Sequence, residues 1–144
     1  MNRAPLGPFH LAIPVDDLEA ARSFYGGVLG CAEGRSAPQW IDFDFFGHQL
    51  VCHLAPAAHS ADGSLRNAVD GHGVPVPHFG MVLDPAAFEK TRERLTAAAI
   101  PFDVEPHVRF RGQPGEQATM FVRDPAGNAV EFKALADPDQ LFAR

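Results

Sequence analysis

The feature that most constrains this 144-residue chain is that it spells one supersecondary unit twice. The first copy opens on Phe9-His10-Leu11-Ala12-Ile13-Pro14-Val15, whose alternation puts Phe9, Leu11, Ile13 and Val15 on one face and His10, Ala12 and Pro14 on the other. Asp16 follows as a helix N-cap, with Glu19 at capping-box spacing, and Leu18, Ala21, Phe24 or Tyr25, and Val28 make an apolar stripe that Gly30 ends. A short strand at 32–36 and two runs at 40–46 and 49–54, joined at Gly47-His48, complete β-α-β-β-β. The second copy restarts at residue 76. Residues 76–83 form a strand with Phe79, Met81 and Leu83 on one face and His78, Gly80 and Val82 on the other. Asp84 caps a helix with Pro85 at its first position, Phe88, Thr91, Arg92, Leu95 and Ala98 follow at helical spacing, and Pro101 ends it. Strands at 102–108, 118–123 and 129–134 close the unit. His10 and His78 occupy matching places, and Asp16 and Asp84 each stand six residues later. An internal repeat of this kind predicts an α+β fold of two tandem βαβββ modules.

The expected layout is an N-terminal tail at 1–7, modules at 8–55 and 76–135, a linker at 56–75 and a C-terminal tail at 136–144, all within one structural domain. The linker is rich in Ala, Gly, Pro, Ser and Asp and shows no periodicity. Composition narrows the function classes. The formal charge is −6 and no Lys/Arg cluster occurs, which argues against nucleic acid or an anionic membrane as partner. No apolar run reaches the roughly 18–20 residues of a membrane span, and residues 1–8 contain no signal-peptide core. Cys31 and Cys52 sit among apolar neighbours, as expected of buried thiols in a reducing cytoplasm. With 12 Phe against one Tyr, Tyr25 is the sole phenol available for acid–base work.

Chemistry concentrates on the faces opposite the large aliphatics. His10 and His78 lie there beside the small residues Ala12 and Gly80, and Glu131 alternates with Val130 and Phe132 on the last strand. Two imidazoles and one carboxylate at matched positions of a repeat make His10, His78 and Glu131 a candidate metal site. This ligand set suits divalent iron or manganese with open positions. His107, Arg109 and Arg111 are the candidate substrate-binding residues: His107 either lines the cup or faces solvent, and the arginines either clamp a carboxylate or phenolate or stay solvated in their loop. His48 is expected at an exposed turn and residues 59, 60 and 62 in solvent, while His59 and His72 receive no role.

The doubled unit, Phe9-His10, Pro77-His78-Phe79 and the segment Arg123-Asp124-Pro125-Ala126-Gly127-Asn128-Ala129-Val130-Glu131-Phe132 together resemble the vicinal oxygen chelate superfamily over residues 8–135. That group includes glyoxalase I, extradiol dioxygenases, fosfomycin-resistance proteins and bleomycin-binding proteins. Residues 43–49 and 112–121 look most like small predicted extradiol-dioxygenase relatives. The resemblance implies a curled mixed-sheet cup with helices outside, and a metal held by His10, His78 and Glu131. In glyoxalase I the first module's closing strand adds a fourth ligand, commonly Glu. The matching residue here is Val51, which cannot bind metal, so a three-ligand site is expected. His53 shares the face of Val51 and becomes the candidate catalytic acid or base, with a bystander role as the alternative.

The leading expectation is a metal-dependent dioxygenase acting on a small catechol-type substrate, with Fe(II) favoured and Mn, Zn or Ni as alternatives. A glyoxalase-type lyase or isomerase and a fosfomycin-type thiol transferase are alternative enzymes. A non-catalytic, bleomycin-type drug binder is the reading from another class. An open-edged cup is expected to pair as a homodimer.

Overall fold

The computed structural model describes residues 6–55 and 66–144. The chain divides into two compact units, Met1–His59 and Ser60–Arg144. In the first, strand β1 (His10–Val15) leads into helix α1 (Leu18–Ala21), which continues as a π-helical stretch at Arg22–Val28. Strands β2 (Ala32–Ala37), β3 (Trp40–Phe45) and β4 (His48–Leu54) follow. The second unit begins with β5 (Arg66–Val69) and β6 (His72–Pro75), then β7 (Phe79–Leu83) and α2 (Pro85–Ala97). It continues with β8 (Phe102–Arg109), β9 (Gln117–Arg123) and β10 (Ala129–Leu135), and a 3-10 turn at Pro138–Gln140 follows.

The repeat is visible in the hydrogen-bond ladders. One sheet runs β1-β4-β3-β2 and the other β7-β10-β9-β8, so each unit pairs its opening strand in parallel with its closing strand. Ala12 pairs with Val51 in the first unit, and Gly80 with Glu131 in the second. The fold is therefore mixed α+β, built from two four-stranded mixed sheets. No helix among the described residues is long and apolar enough to cross a membrane.

Alternation gives each sheet one apolar face. In the first unit Ile13, Val15, Leu50, Cys52, Ile41, Phe43 and Phe45 are buried with Phe24 and Tyr25 of the helical segment. The opposite face carries His10, Gln49, His53, Trp40 and Asp42. In the second unit Met120, Val122, Val130 and Phe132 are buried, as are Phe88 and Leu95 of α2. Full burial of side chains this size contributes roughly 1.5–3 kcal/mol each.

Several local expectations are corrected. The cap of α1 is Asp17, whose Oδ1 accepts from the Ala20 amide at 3.0 Å; Asp16 does not cap it. Asp84 caps α2 as expected, accepting from Ala87 at 2.8 Å. Phe9 does not join the core but is 67% exposed, because β1 begins one residue later. Tyr25 is fully buried against the Phe24, Phe43 and Phe45 rings, which removes it from acid–base work. His48 is not in the turn: it opens β4, half-buried, and its Nδ1 accepts from the Phe9 amide at 2.8 Å.

The largest correction concerns the linker. Its second half folds as the β5–β6 hairpin, turned at Asp70-Gly71, both with positive φ. That dipeptide is a strong hairpin signal, and the flanking alternation of Val69 and Val74 supports it. The first half of the linker, with His59, lies outside the described residues, as does most of the N-terminal tail. The expected strand at 76–83 starts only at Phe79, after a cis Val76–Pro77 bond, so His78 immediately precedes β7.

Candidate metal centre

Glu131 is set in place by the turn before β10. The Asp124 carboxylate accepts from the amides of Ala126 and Asn128 and from the Asn128 side chain, at 3.0, 2.8 and 2.8 Å. Gly127, at φ 91°, closes the turn through its amide to the Asp124 carbonyl. This turn fixes the β10 register, so Val130 and Phe132 enter the core and Glu131 takes the other face, where it is 9% exposed.

There Glu131 meets His78. The imidazole Nδ1 lies 2.7 Å from the Pro75 carbonyl oxygen. A carbonyl can only accept, so Nδ1 carries the proton and Nε2 holds the lone pair of the neutral ring. Nε2 is 3.0 Å from Glu131 Oε2. Two lone-pair atoms at that distance require a cation between them, either a proton or a metal ion. Bonds of about 2.1 Å meeting near a right angle hold two donors about 3.0 Å apart, so the pair fits a divalent ion in donor type and spacing. A carbonyl behind a ligating histidine is also the usual way of holding such a ring.

Thr119 Oγ1 donates to Glu131 Oε1 at 2.7 Å, and Lys133 Nζ lies 3.4 Å from the same oxygen. The hydrogen bond to Glu131 raises the His78 pKa above its ordinary value, against the opposing effect of burial. For Glu131, burial pushes the pKa up, but the bonds from His78 and Thr119 and the charge of Lys133 outweigh it, and the carboxyl is held below its ordinary range. Phe121 stacks edge-on against His78 at 5.0 Å.

The pair opens into a pocket of about 150 Å³ within the second unit. Val69, Val74 and Phe121 give it an apolar wall, while His72, His107 and Thr119 add polar groups. The β5–β6 hairpin thus forms one side. It is tied down by Arg66, which binds Asp103 at 3.0 Å, by an Arg109–Asp70 ion pair, and by stacking of His72 on His107 with ring centres 4.2 Å apart.

Of the expected site residues, His78, Glu131, His107 and Arg109 share this pocket. Arg109 is engaged by Asp70 and also covers the Phe110 ring, so it is not the free clamp the sequence suggested. Arg111 is exposed in the turn after β8. His10 and His53 belong to the first unit, on the polar face of its sheet. His10 Nδ1 lies 2.8 Å from Gln49 Oε1, and His53 is exposed between Pro14 and Trp40. Among the described residues no three His, Cys, Asp or Glu side chains gather into one cluster. Sequence reasoning missed His72, because it fell in the supposed linker, and Gln49, because an amide beside a histidine carries no spacing signal.

Family comparison agrees with the ladders. The Glyoxalase/Bleomycin resistance protein/Dioxygenase superfamily model matches residues 7–132, and the chain belongs to that family. It is similar to a glyoxalase/bleomycin resistance protein/dioxygenase from Alicyclobacillus acidocaldarius at 35% identity, covering 98% of this chain and 100% of that one, with a TM-score of 0.79. A lactoylglutathione lyase from Agrobacterium tumefaciens is 25% identical over 92% and 96% of the two chains, with a TM-score of 0.61. A fosfomycin resistance protein from Listeria monocytogenes shares the fold at 15% identity, 95% and 98% coverage and a TM-score of 0.66. No curated protein matches significantly.

Proposed function

We propose that this protein is a metal-dependent dioxygenase-like enzyme acting on a small, catechol-type substrate, with Fe(II) as the favoured metal. The observation that carries the reading is the His78–Glu131 pair, its donor atoms 3.0 Å apart at the edge of a small pocket with one apolar wall. His10 is the proposed third ligand, from the same chain or from the partner copy of a homodimer. A bound divalent ion would lower the pKa of a substrate hydroxyl and hold two vicinal oxygens.

The protein's own residues supply the rest. The pocket of about 150 Å³, with one apolar wall, has room for a single benzene-sized ring. Phe121, Val69 and Val74 offer a ring an apolar surface, and Thr119 donates to the Glu131 carboxylate. His107 donates Nδ1–H to the Glu105 carbonyl at 3.0 Å, which leaves its Nε2 to accept a hydrogen bond from a substrate hydroxyl. Arg111, exposed in the turn after β8, is the proposed anion contact, and His53 the proposed acid–base group.

A second reading, a glyoxalase-type lyase, is favoured by the 25% identity to a lactoylglutathione lyase and opposed by Val51 at the fourth-ligand position. The test is anaerobic reconstitution with ferrous iron, then oxygen uptake with a panel of catechols. Consumption of one oxygen per ring opened supports the proposal. Tight metal binding with hemithioacetal turnover and no oxygen uptake supports the second reading. Drug binding without metal retention would overturn both.

A further inference from the structure

We propose that Gln49, held by Asp42, sets the tautomer of His10 and so prepares its Nε2 for a cation; this rests on His10 being a metal ligand. The relay crosses three neighbouring strands. His10 on β1 pairs directly with Gln49 on β4, and Asp42 on β3 lies on the same face, one pleat along. Gln49 Nε2 is 3.2 Å from Asp42 Oδ2, and Gln49 Oε1 is 2.8 Å from His10 Nδ1.

The chemistry fixes the direction of each bond. A carboxylate accepts only, so the NH2 end of the Gln49 amide faces Asp42 and its carbonyl end faces His10. A carbonyl oxygen accepts only, so His10 must present Nδ1–H. The lone pair of the neutral ring is then on Nε2. Without the relay an imidazole in water favours the opposite tautomer, with Nε2 protonated and closed to a metal.

The second unit gives an independent parallel. His78 stands where His10 does: it lies two residues before Gly80, which pairs with Glu131, as His10 lies two before Ala12, which pairs with Val51. It reaches the same tautomer by another route, through the Pro75 carbonyl at 2.7 Å. In the second unit a backbone carbonyl three residues upstream meets the ring. In the first, β1 follows Phe9 directly and its backbone bonds to β4, so a side chain has to do the work. Gln49 and Asp42 are positioning residues, acting on the ion through His10.

The test uses metal-free, 15N-labelled full-length protein at about pH 8, where long-range proton–nitrogen spectra assign each imidazole tautomer. His10 and His78 should both show Nδ1–H. In Gln49→Leu, His10 should move toward Nε2–H while His78 is unchanged, which a general loss of structure would not produce. Calorimetric titration with Mn2+ should show affinity falling about 10–100-fold in that variant. The exchanged pair Asp42→Asn with Gln49→Glu returns an acceptor to His10 and an amide beside it, and should restore both tautomer and affinity. An Nε2–H His10 in the parent, or no change in Gln49→Leu, would overturn the relay. Correct tautomers with Mn2+ affinity untouched by His10→Ala would instead overturn His10 as a ligand, and with it the function assigned to the relay.

Discussion

Gly80 and Glu131 approach so closely across the β7–β10 pair that a Cβ on Gly80 would lie 1.5 Å from the Glu131 carbonyl oxygen. The small residue beside His78 is therefore required by the backbone of the candidate ligand, and not only by room in the pocket. Gly80→Ala must push β10 away from β7 at the point that carries Glu131. The expected cost is about 1–3 kcal/mol of stability. Divalent-ion affinity should fall with it. Denaturant unfolding and Mn2+ titration check both, and an unaltered midpoint would show that the strands part freely.

The His78–Glu131 pair gives the metal-free protein a defined pH response. The His78 pKa is raised above 6.5, so its contribution is full below that value and is lost as pH rises through the folded pKa. The Glu131 pKa is lowered below 4.5, so its contribution is present above that value and is lost as pH falls through the folded pKa. The pair therefore stabilises most between pH 4.5 and 6.5. Urea midpoints measured from pH 4 to 9 should show a shoulder in this window that His78→Gln removes. Parallel curves for parent and variant would contradict the shifts.

Much of this was legible in the residues themselves. The repeat, the α+β class and the parity that puts Glu131 opposite Val130 and Phe132 follow from period-two alternation and from the turn chemistry of Asp124 to Asn128. Boundaries were less legible. Asp16 and Asp17 are equally good caps by composition, and only backbone geometry at Asp17, φ −149° and ψ 111°, separates them. The β5–β6 hairpin escaped because its strands are four residues long and half its positions are exposed, so tertiary packing of Val69 and Val74 on Val104 and Phe121 decides its existence. The same packing brings His72 against His107, a contact that no local pattern encodes.

Glu131→Ala should abolish retention of a divalent ion while the fold survives. The carboxylate is the sole anion among the three proposed ligands, whereas Val130 and Phe132, both fully buried, carry the packing of β10. Thr119 loses its acceptor, a loss of about 1–3 kcal/mol that the buried core of the second unit tolerates. Metal analysis after reconstitution and dialysis, beside circular dichroism, measures the two effects separately. Equal metal content in parent and variant would remove Glu131 from the site.

His53 is expected to affect turnover and not metal binding. It shares a sheet face with Gln49 and Val51, and Val51 stands in the ladder where Glu131 stands in the second unit. Two residues along a strand amount to about 6–7 Å, well beyond a metal–nitrogen bond of about 2.1 Å. An exposed imidazole at that remove can still reach a bound hydroxyl, directly or through one water. His53→Ala should keep the Mn2+ affinity of the parent and lower kcat about 10²–10⁴-fold on an accepted catechol, with KM little changed. Loss of metal in this variant would make His53 a ligand and restore the four-ligand, lyase-type reading. Unchanged kcat would leave the proton transfer to another group, with His107, whose Nδ1–H is already given to the Glu105 carbonyl, as the next residue to substitute.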